Sequence, residues 1–355
     1  MFKNSIFPAC YVNFSDVNST REAGFWLAAE EYIAKQYPEG NFVFIWQVNP
    51  TCVIGRNQDA HAELNIEFCR QNNINVIRRK SGGGAIFADE NNLMISLVTR
   101  SGSVEKLFSQ FACTIADGLN ALGANATVSG RNDICLQDGR KISGAAFYHL
   151  HNRNIAHCTM LYDTNPYLMR GSLTPQRAKL QSKGVKSVES RIALLKDILP
   201  YSIDSLRSRL RNILTNRAIT IGNHEIMQIS KLEQSYKILS DVHSSTITPE
   251  ITLCDRIEGC GNISIRIYID ADKNINSVEL TGDFFPQGDA SPSKTFTKAF
   301  RGCHINLHDA EATKLQLIEK IKSHKPHTCI RNLTEENLLN IIKNYYHYGQ
   351  TDLPA

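Results

Sequence analysis

INVIRRKSGGGAIFADENNLMISLV, residues 74–98, sets three consecutive glycines between two β-rich runs. Residues 74–79 read as a strand, residues 85–98 resume extended structure, and Ser81-Gly82-Gly83-Gly84 interrupts the sheet between them. Three consecutive glycines weaken a strand and raise the entropy of the unfolded chain. They are best explained by a backbone that must approach something closely or adopt positive φ. Successive amide N–H groups in such a turn form a concavity that attracts anions, and Arg79 beside it can pair with a carboxylate or phosphate through two parallel bonds. The functional reading is an anionic ligand. The plain alternative is a hairpin tip flanked by the solvated cations Arg78, Arg79 and Lys80. Neither a G-x-x-x-x-G-K-[ST] loop nor a G-x-G-x-x-G fingerprint occurs, so standard P-loop or dinucleotide binding lacks its signature.

Before this stretch, residues 22–37 carry Phe25, Ala29, Tyr32, Ile33 and Tyr37 at helical spacing, an amphipathic helix suited to lie on a sheet. FVFIW (42–46) and TCVIG (51–55) read as two strands joined by a turn at Asn49-Pro50, with a helical stretch near 62–72. After it, residues 101–122 read as a helix and DICLQDGRKISG (133–144) as a hairpin, because Asp138-Gly139 suits a two-residue type I′ turn. In that register Lys141 faces Leu136 and shares a side with Asn132, while Asp133 points the other way; a bulge reverses this. Residues 202–216 form a helix with leucines on one face and arginines on the other, a solvated basic face. Residues 240–250 lack periodicity and read as a linker. ISIRIYID (263–270), a turn at Asp272-Lys273-Asn274 and NSVELTGDFF (276–285) form a second hairpin, followed by helices at 309–322 and 334–346, the latter with Thr334 as N-cap. Two domains result, residues 1–245 and a small α+β domain at 250–350.

A chain of 355 residues buries a core without assistance, and 42% hydrophobic with 21% charged residues excludes wholesale disorder. The N-terminus is too polar for a signal peptide and no long apolar run occurs, so a cytoplasmic protein with no membrane partner is expected. A net charge of +4, evenly spread, demands no nucleic acid. Ten cysteines without a C-x-x-C pair fit reduced, mostly buried thiols.

Taken alone, Lys141 reads as a surface lysine and His157 as a core histidine or a base. Together, TREAGFWLAAEEYI (20–33), WQVNPTCVIGRNQDAHAELN (46–65), RRKSGGGAIFAD (78–89), GRNDICLQDGRKISGAAF (130–147), AHCTML (156–161) and KLQSKGVKSVESRI (179–192) resemble the bacterial lipoate-protein ligase A family. VELTGDFF (278–285) resembles the hairpin of its C-terminal accessory domain. The resemblance implies an α+β fold: a class II aminoacyl-tRNA synthetase/biotin ligase-like catalytic domain, with a mixed sheet flanked by helices, plus the accessory domain. It also implies an enzyme that joins lipoate to ATP as lipoyl-AMP and passes the lipoyl group to a lysine of lipoyl-domain acceptor proteins, such as 2-oxoacid dehydrogenase E2 and glycine cleavage H protein. A monomer is expected.

By similarity, Lys141 is the catalytic residue, bridging the lipoyl carboxylate and the α-phosphate. Arg79, Gly82, Gly83, Gly84, Ala85, Phe87, Asn92, Asn132, Asp133 and Lys183 would join it around ATP or the adenylate. Leu27, Trp46, Val53, Arg79, Ser81, Gly82, Gly83, Lys141, His157 and Thr159 would hold lipoate, with Phe87 also falling at a tunnel position. Asp133 would hold Mg²⁺. The loop from Lys183 to Ser187 would cover the intermediate. The chemistry fits these residue types, because a carboxylate attacking a phosphate is opposed by charge, and fixed cations and N–H donors relieve that repulsion. The chain departs from the family at Ala88-Asp89, at Glu90-Asn91-Asn92 and at Ala156-His157-Cys158-Thr159, which leaves the choice between lipoate and octanoate open. Cys158 raises an alternative, an ATP-independent octanoyl or lipoyl transferase working through a thioester; a non-catalytic binder of lipoyl proteins is a third reading.

Overall fold

The computed structural model describes residues 7–15, 21–100, 102–130, 132–150, 152–174, 191–236, 248–288, 290–306 and 309–343, apart from the side chains of 104 and 105. Cα proximity divides the chain into two units: Met1–Arg56, Ala60–Ser81 and Ala85–Val242 form the first, and Asn57–Asp59, Gly82–Gly84 and His243–Ala355 the second.

In the first unit the elements run β1 (Ala9–Phe14), α1 (Ala23–Gln36), β2 (Phe42–Trp46), β3 (Thr51–Ile54), α2 (Ala60–Glu63), α3 (Ile66–Gln71), β4 (Asn75–Arg78), β5 (Ile86–Ala88), β6 (Leu93–Arg100) and α4 (Val104–Ala121). They continue with β7 (Ala126–Ser129), β8 (Asp133–Leu136), β9 (Lys141–Leu150), β10 (Arg153–Met160), α5 (Pro166–Ser172), α6 (Ile203–Leu214), β11 (Thr215–Ile221) and α7 (Asn223–Glu233). An eight-stranded sheet has the order β11-β1-β2-β6-β10-β9-β8-β7. Its β11/β1 and β1/β2 pairs are parallel and the others antiparallel. A three-stranded sheet has the order β4-β3-β5. The strands at 42–46 and 51–54, adjacent in sequence, therefore belong to different sheets, and the glycine-interrupted strands β4 and β5 flank β3 on either side.

Alternation along the large sheet sorts its side chains between two cores. One face packs Val43, Ile45, Ile95, Leu97 and Cys158 with Phe111, Ile115 and Leu119 of α4 and Leu206, Leu210 and Leu214 of α6. The other packs Phe44, Trp46, Met94 and Ile155 with Phe25, Leu27 and Ile33 of α1 and Ile226 and Ile229 of α7. Helix α1 departs from the amphipathic expectation, since every residue from Ala23 to Ala34 is buried, Glu30 and Glu31 included. Burying Phe25, Leu27 and Ile33 contributes roughly 1.5–3 kcal/mol each, and the two carboxylates require partners there. β1 and β11 were not anticipated. They close one edge of the sheet as a parallel pair whose partners lie some 200 residues apart in sequence, which local patterning does not reveal.

The second unit contains β12 (Ile251–Ile257), β13 (Gly261–Ile269) and β14 (Ile275–Gly282) in an antiparallel sheet, then α8 (Pro292–Phe300), α9 (Ala310–His324) and α10 (Glu335–Lys343). Ile263, Ile265 and Ile267 alternate into its core, as the sequence pattern requires, and pack with Phe296, Phe300, Leu317 and Leu338. Thr334 Oγ1 accepts from the Asn337 N–H at 3.1 Å, the expected N-cap. The third strand of the sheet, β12, and helix α8 go beyond the hairpin and two helices expected. All ten cysteines are free, and eight of them are buried. Among the described residues no helix is long and apolar enough to cross a membrane.

Candidate active site

The hairpin β8–β9 positions the lysine. The two-residue turn expected at Asp138-Gly139 does not form; of this pair only Gly139 has positive φ, at +85°. The Leu136 N–H donates to the Arg140 carbonyl at 2.8 Å, leaving a three-residue loop, Gln137 to Gly139. Register follows from that loop: Cys135 faces Lys141, then a shift brings Ile134 opposite Ser143 and Asp133 opposite Gly144. Lys141 and Asp133 thus share a side, and Lys141 Nζ lies 2.7 Å from Asp133 Oδ1. The side chain lies directly over Gly144, where a Cβ would come within 2.4 Å of Lys141 Nζ. The spacing K-I-S-G therefore has a physical meaning: only glycine leaves room for the ammonium. The other Asp133 oxygen accepts from Arg191 Nη2 at 2.9 Å. Arg191 lies about fifty residues from Lys141 in sequence, and no local pattern points to it.

Strand pairing places the remaining groups on the same face. Thr159 of β10 is opposite both Gly144 and Met94, and His157, two residues along, is opposite Ala146 and Ser96. Thr159 Oγ1 lies 3.3 Å from the Gly144 nitrogen. From His157 a buried polar chain extends in both directions. His157 Nδ1 lies 2.9 Å from Glu30 Oε1 and Nε2 lies 3.0 Å from Ser81 Oγ. Ser96 Oγ donates to Glu30 Oε1 at 2.6 Å and Trp46 Nε1 donates to Ser96 Oγ at 2.9 Å. At the far end Arg79 Nε donates to Ser81 Oγ at 3.0 Å and Nη1 donates to the Val53 carbonyl at 3.1 Å. Donor directions constrain the ring: the Glu30 carboxylate accepts, so His157 Nδ1 carries a proton, and Nε2 and the Ser81 hydroxyl share the other hydrogen bond. Every member is buried and partnered. Glu30 and Ser96 were not singled out from sequence. The available signal was that Glu30 falls on the i, i+4 row of Trp26, a charge on a stripe that the core needs.

The other expected residues divide. Leu27, Trp46 and Val53 belong to one apolar cluster on the α1 side of the sheet. Phe87 does not join them, because it packs with Cys52, Ile54 and Met169 in a separate cluster around the small sheet. Asn132 Nδ2 donates to the Ala145 carbonyl at 2.7 Å, so this side chain pins β9 beside Lys141. Asn92 is buried and Nδ2 donates to Asp89 Oδ1 at 3.0 Å, while Oδ1 has no hydrogen-bond partner among the described residues. Asp89 organises its own loop, accepting from the N–H groups of Asn91 and Asn165, and burial raises its carboxyl above the ordinary range. Ala85 is half-buried. Gly82, Gly83 and Gly84 fall in the second unit, with Gly83 at φ +89°. Lys183, with its loop to Ser187, lies outside the described residues.

Two chemical points follow. Both Asp133 oxygens are engaged by cations, an arrangement suited to a counter-ion for Lys141 rather than to a Mg²⁺ ligand. Cys158 is 2% exposed on the opposite face of β10 from His157, and desolvation pushes its thiol up to about 12, which suppresses the thiolate that a nucleophile requires.

The comparisons with known proteins bear on the family and the fold. The family model of the lipoyl protein ligase A/B catalytic domain matches residues 22–215. Lipoate-protein ligase LplJ of Bacillus subtilis is 30% identical over 292 residues, covering 78% of this chain and 87% of the relative. Lipoate-protein ligase 1 of Staphylococcus aureus is 29% identical over 322 residues, 87% of this chain and 94% of the relative. Among solved structures, P. falciparum LipL1 in complex with lipoate has a TM-score of 0.71 at 18% identity, covering 95% of this chain and 98% of that one. Lipoate-protein ligase A bound with ATP has a TM-score of 0.55 at 23% identity, covering 64% of this chain and 94% of that one. These two likenesses show a shared fold. With the family model spanning more than half of the chain and carrying both the lysine hairpin and the polar chain behind it, this protein belongs to the lipoyl protein ligase A/B family.

Proposed function

We propose that this protein is an ATP-dependent lipoate-protein ligase, forming lipoyl-AMP and pyrophosphate and then transferring the lipoyl group to a lysine of lipoyl-domain acceptor proteins. The observation that carries the reading is the Lys141 ammonium, held by Asp133 in the space left by Gly144. Such a fixed cation lowers the repulsion between the lipoate carboxylate and the α-phosphate, and its charge is greatest in effect where negative charge concentrates in the transition state. Attack by a carboxylate oxygen on the α-phosphorus breaks the bond to pyrophosphate, and the lysine acts by its charge and position. In the second step the neutral acceptor amine attacks the acyl carbon, the bond from that carbon to the phosphate oxygen breaks, and AMP and one amine proton leave as the amide forms.

The residues fit these roles in two groups. Lys141, with Thr159 and the Asn132-pinned strand beside it, forms the adenylation centre; Arg79, Ser81 and His157 form a polar wall one pleat away, with Leu27, Trp46 and Val53 as the apolar lining for the acyl chain. Asn92, whose buried oxygen has no partner among the described residues, suits a donor on the nucleotide. No step is assigned to Mg²⁺ at Asp133. Residues 1–245 would be catalytic and 250–350 accessory, in a cytoplasmic monomer. Curated relatives named as lipoate-protein ligases support the reading, as does a Thermoplasma acidophilum structure described as a bi-partite lipoate protein ligase and its E2 lipoyl domain.

The test is mass analysis of a purified lipoyl domain after incubation with this protein, ATP, Mg²⁺ and either lipoate or octanoate. The lipoyl adduct is expected with the native chain. Lys141→Met is expected to keep the fold and much of the lipoate binding while losing pyrophosphate release; release at the native rate would refute the role of Lys141.

A further inference from the structure

The ion pair on the second oxygen of Asp133 is not explained by holding Lys141 alone. Arg191 Nη2 lies 2.9 Å from Asp133 Oδ2 while Lys141 Nζ lies 2.7 Å from Oδ1, so one carboxylate bridges two cations. The three charges sum to one excess positive charge in a partly shielded place: the side chains are 22% exposed for Arg191, 20% for Lys141 and 10% for Asp133. Backbone contacts fix the same arrangement. Ile192 forms a parallel bridge with Lys141, and the Ala193 N–H donates to the Lys141 carbonyl at 2.9 Å. The residue after Arg191 is thereby stitched to the strand that carries the lysine.

Another arginine shows what a purely structural guanidinium looks like in this protein. Arg153 is 2% exposed and donates from Nη1 and Nη2 to the backbone carbonyls of Pro38 and Gly40, at 2.7 and 2.8 Å, where it pins a loop. Arg191 differs in being partly open to solvent and in pairing with an anion already shared with the reactive-site lysine. A guanidinium carries five N–H donors in a fixed fork, and phosphate oxygens match that fork better than they match an ammonium.

We propose that Arg191 is a phosphate-binding residue for the ATP of the adenylation step, with Asp133 serving as the shared counter-ion that holds Arg191 and Lys141 side by side until the nucleotide arrives. This rests on the proposed adenylation at Lys141 and adds no covalent step to it. The incoming phosphates meet two cations already oriented, and the Asp133 carboxylate keeps them from being paired elsewhere or repelling one another.

The experiment is lipoate-dependent ATP–pyrophosphate exchange by the full chain, comparing native protein, Arg191→Ala, Arg191→Lys and Lys141→Met, with thermal melts of each. Arg191→Ala is expected to raise the KM for ATP by about tenfold or more, because a charge-assisted bond to phosphate is lost. The KM for lipoate and the melting temperature should stay near native, and Arg191→Lys should recover part of the loss. An unchanged KM for ATP in Arg191→Ala overturns the proposal. So does a parallel loss on both substrates accompanied by a lowered melt, or an Arg191→Lys protein that folds normally yet behaves no better than the alanine variant. If the native chain shows no lipoate-dependent exchange, the adenylation reading itself fails and the role of Arg191 falls with it. Exchange that vanishes in Lys141→Met but is native in Arg191→Ala defeats only the inference about Arg191.

Discussion

Gly144→Ala tests whether the position of the Lys141 ammonium, rather than its presence, sets the rate. A Cβ at 144 would stand 2.4 Å from Nζ and 2.7 Å from Cε of Lys141, with the Asp133 oxygen at 3.8 Å. Ordinary contact between such atoms requires about 3.4 Å or more, so the ammonium must retreat by about 1 Å. The obstacle is the far end of a flexible side chain, and Gly144 lies in the interior of a strand without positive φ. Stability should therefore hold, since alanine loses less backbone entropy on folding than glycine, a gain of roughly 0.5–1 kcal/mol to set against the disturbed ion pair. Misplacing a reacting group by about 1 Å costs on the order of 10²-fold in rate. The expected result is lipoate-dependent ATP–pyrophosphate exchange lowered by about two orders of magnitude in kcat, with a native melting temperature and a native KM for lipoate. Exchange at the native rate in a folded Gly144→Ala protein would show that Lys141 works from somewhere other than above Gly144, and the geometric argument would fail.

Two further results are expected from the buried groups. Glu30→Leu orphans the His157 Nδ1 proton and the Ser96 hydroxyl, each at a cost of about 1–3 kcal/mol; urea denaturation should show that loss, and Glu30→Gln, which keeps an acceptor oxygen, should lose less. Equal stability of Glu30→Leu and native protein would mean that the polar chain is not satisfied as described. Cys158 has a thiol raised by desolvation from 9.0 to about 12, so the folded state favours the neutral form. The stability tied to that preference is complete below about pH 9 and is lost as pH rises toward 12, by about 1.4 kcal/mol per unit. Denaturation of native protein and Cys158→Ala across this range should converge with that slope. At neutral pH, Cys158→Ala should retain ligation by the acceptor-mass assay, and a variant that folds but cannot ligate would revive the thioester route.

What could be read before any coordinates were known was whatever depends on neighbours in sequence. The strand at 75–78, the alternating isoleucines at 263–267 and the cap at Thr334 are local patterns, fixed by pleat and side-chain acceptor, and each appears where its pattern placed it, whereas the extended run expected at 85–98 divides into β5 and β6 of two different sheets. The order of the lysine hairpin, the glycine triplet and the histidine strand was likewise enough to indicate a family. The reading of α1 as amphipathic was incomplete because burial on a second side depends on α7, which comes some 190 residues later.

Around the site the division is sharper. Local patterning alone was enough to put a lysine, an aspartate and a glycine on one hairpin. That Lys141 and Asp133 meet follows from the fold, because a three-residue loop in place of two, followed by a one-residue shift, reverses which side of the ribbon each occupies. The fold also brought Glu30 of α1 to His157 and Arg191 to Asp133, across 127 and 58 residues respectively. Periodicity specifies which way a side chain points within its own element; which partner waits there depends on packing between elements far apart along the chain, and no local pattern encodes that.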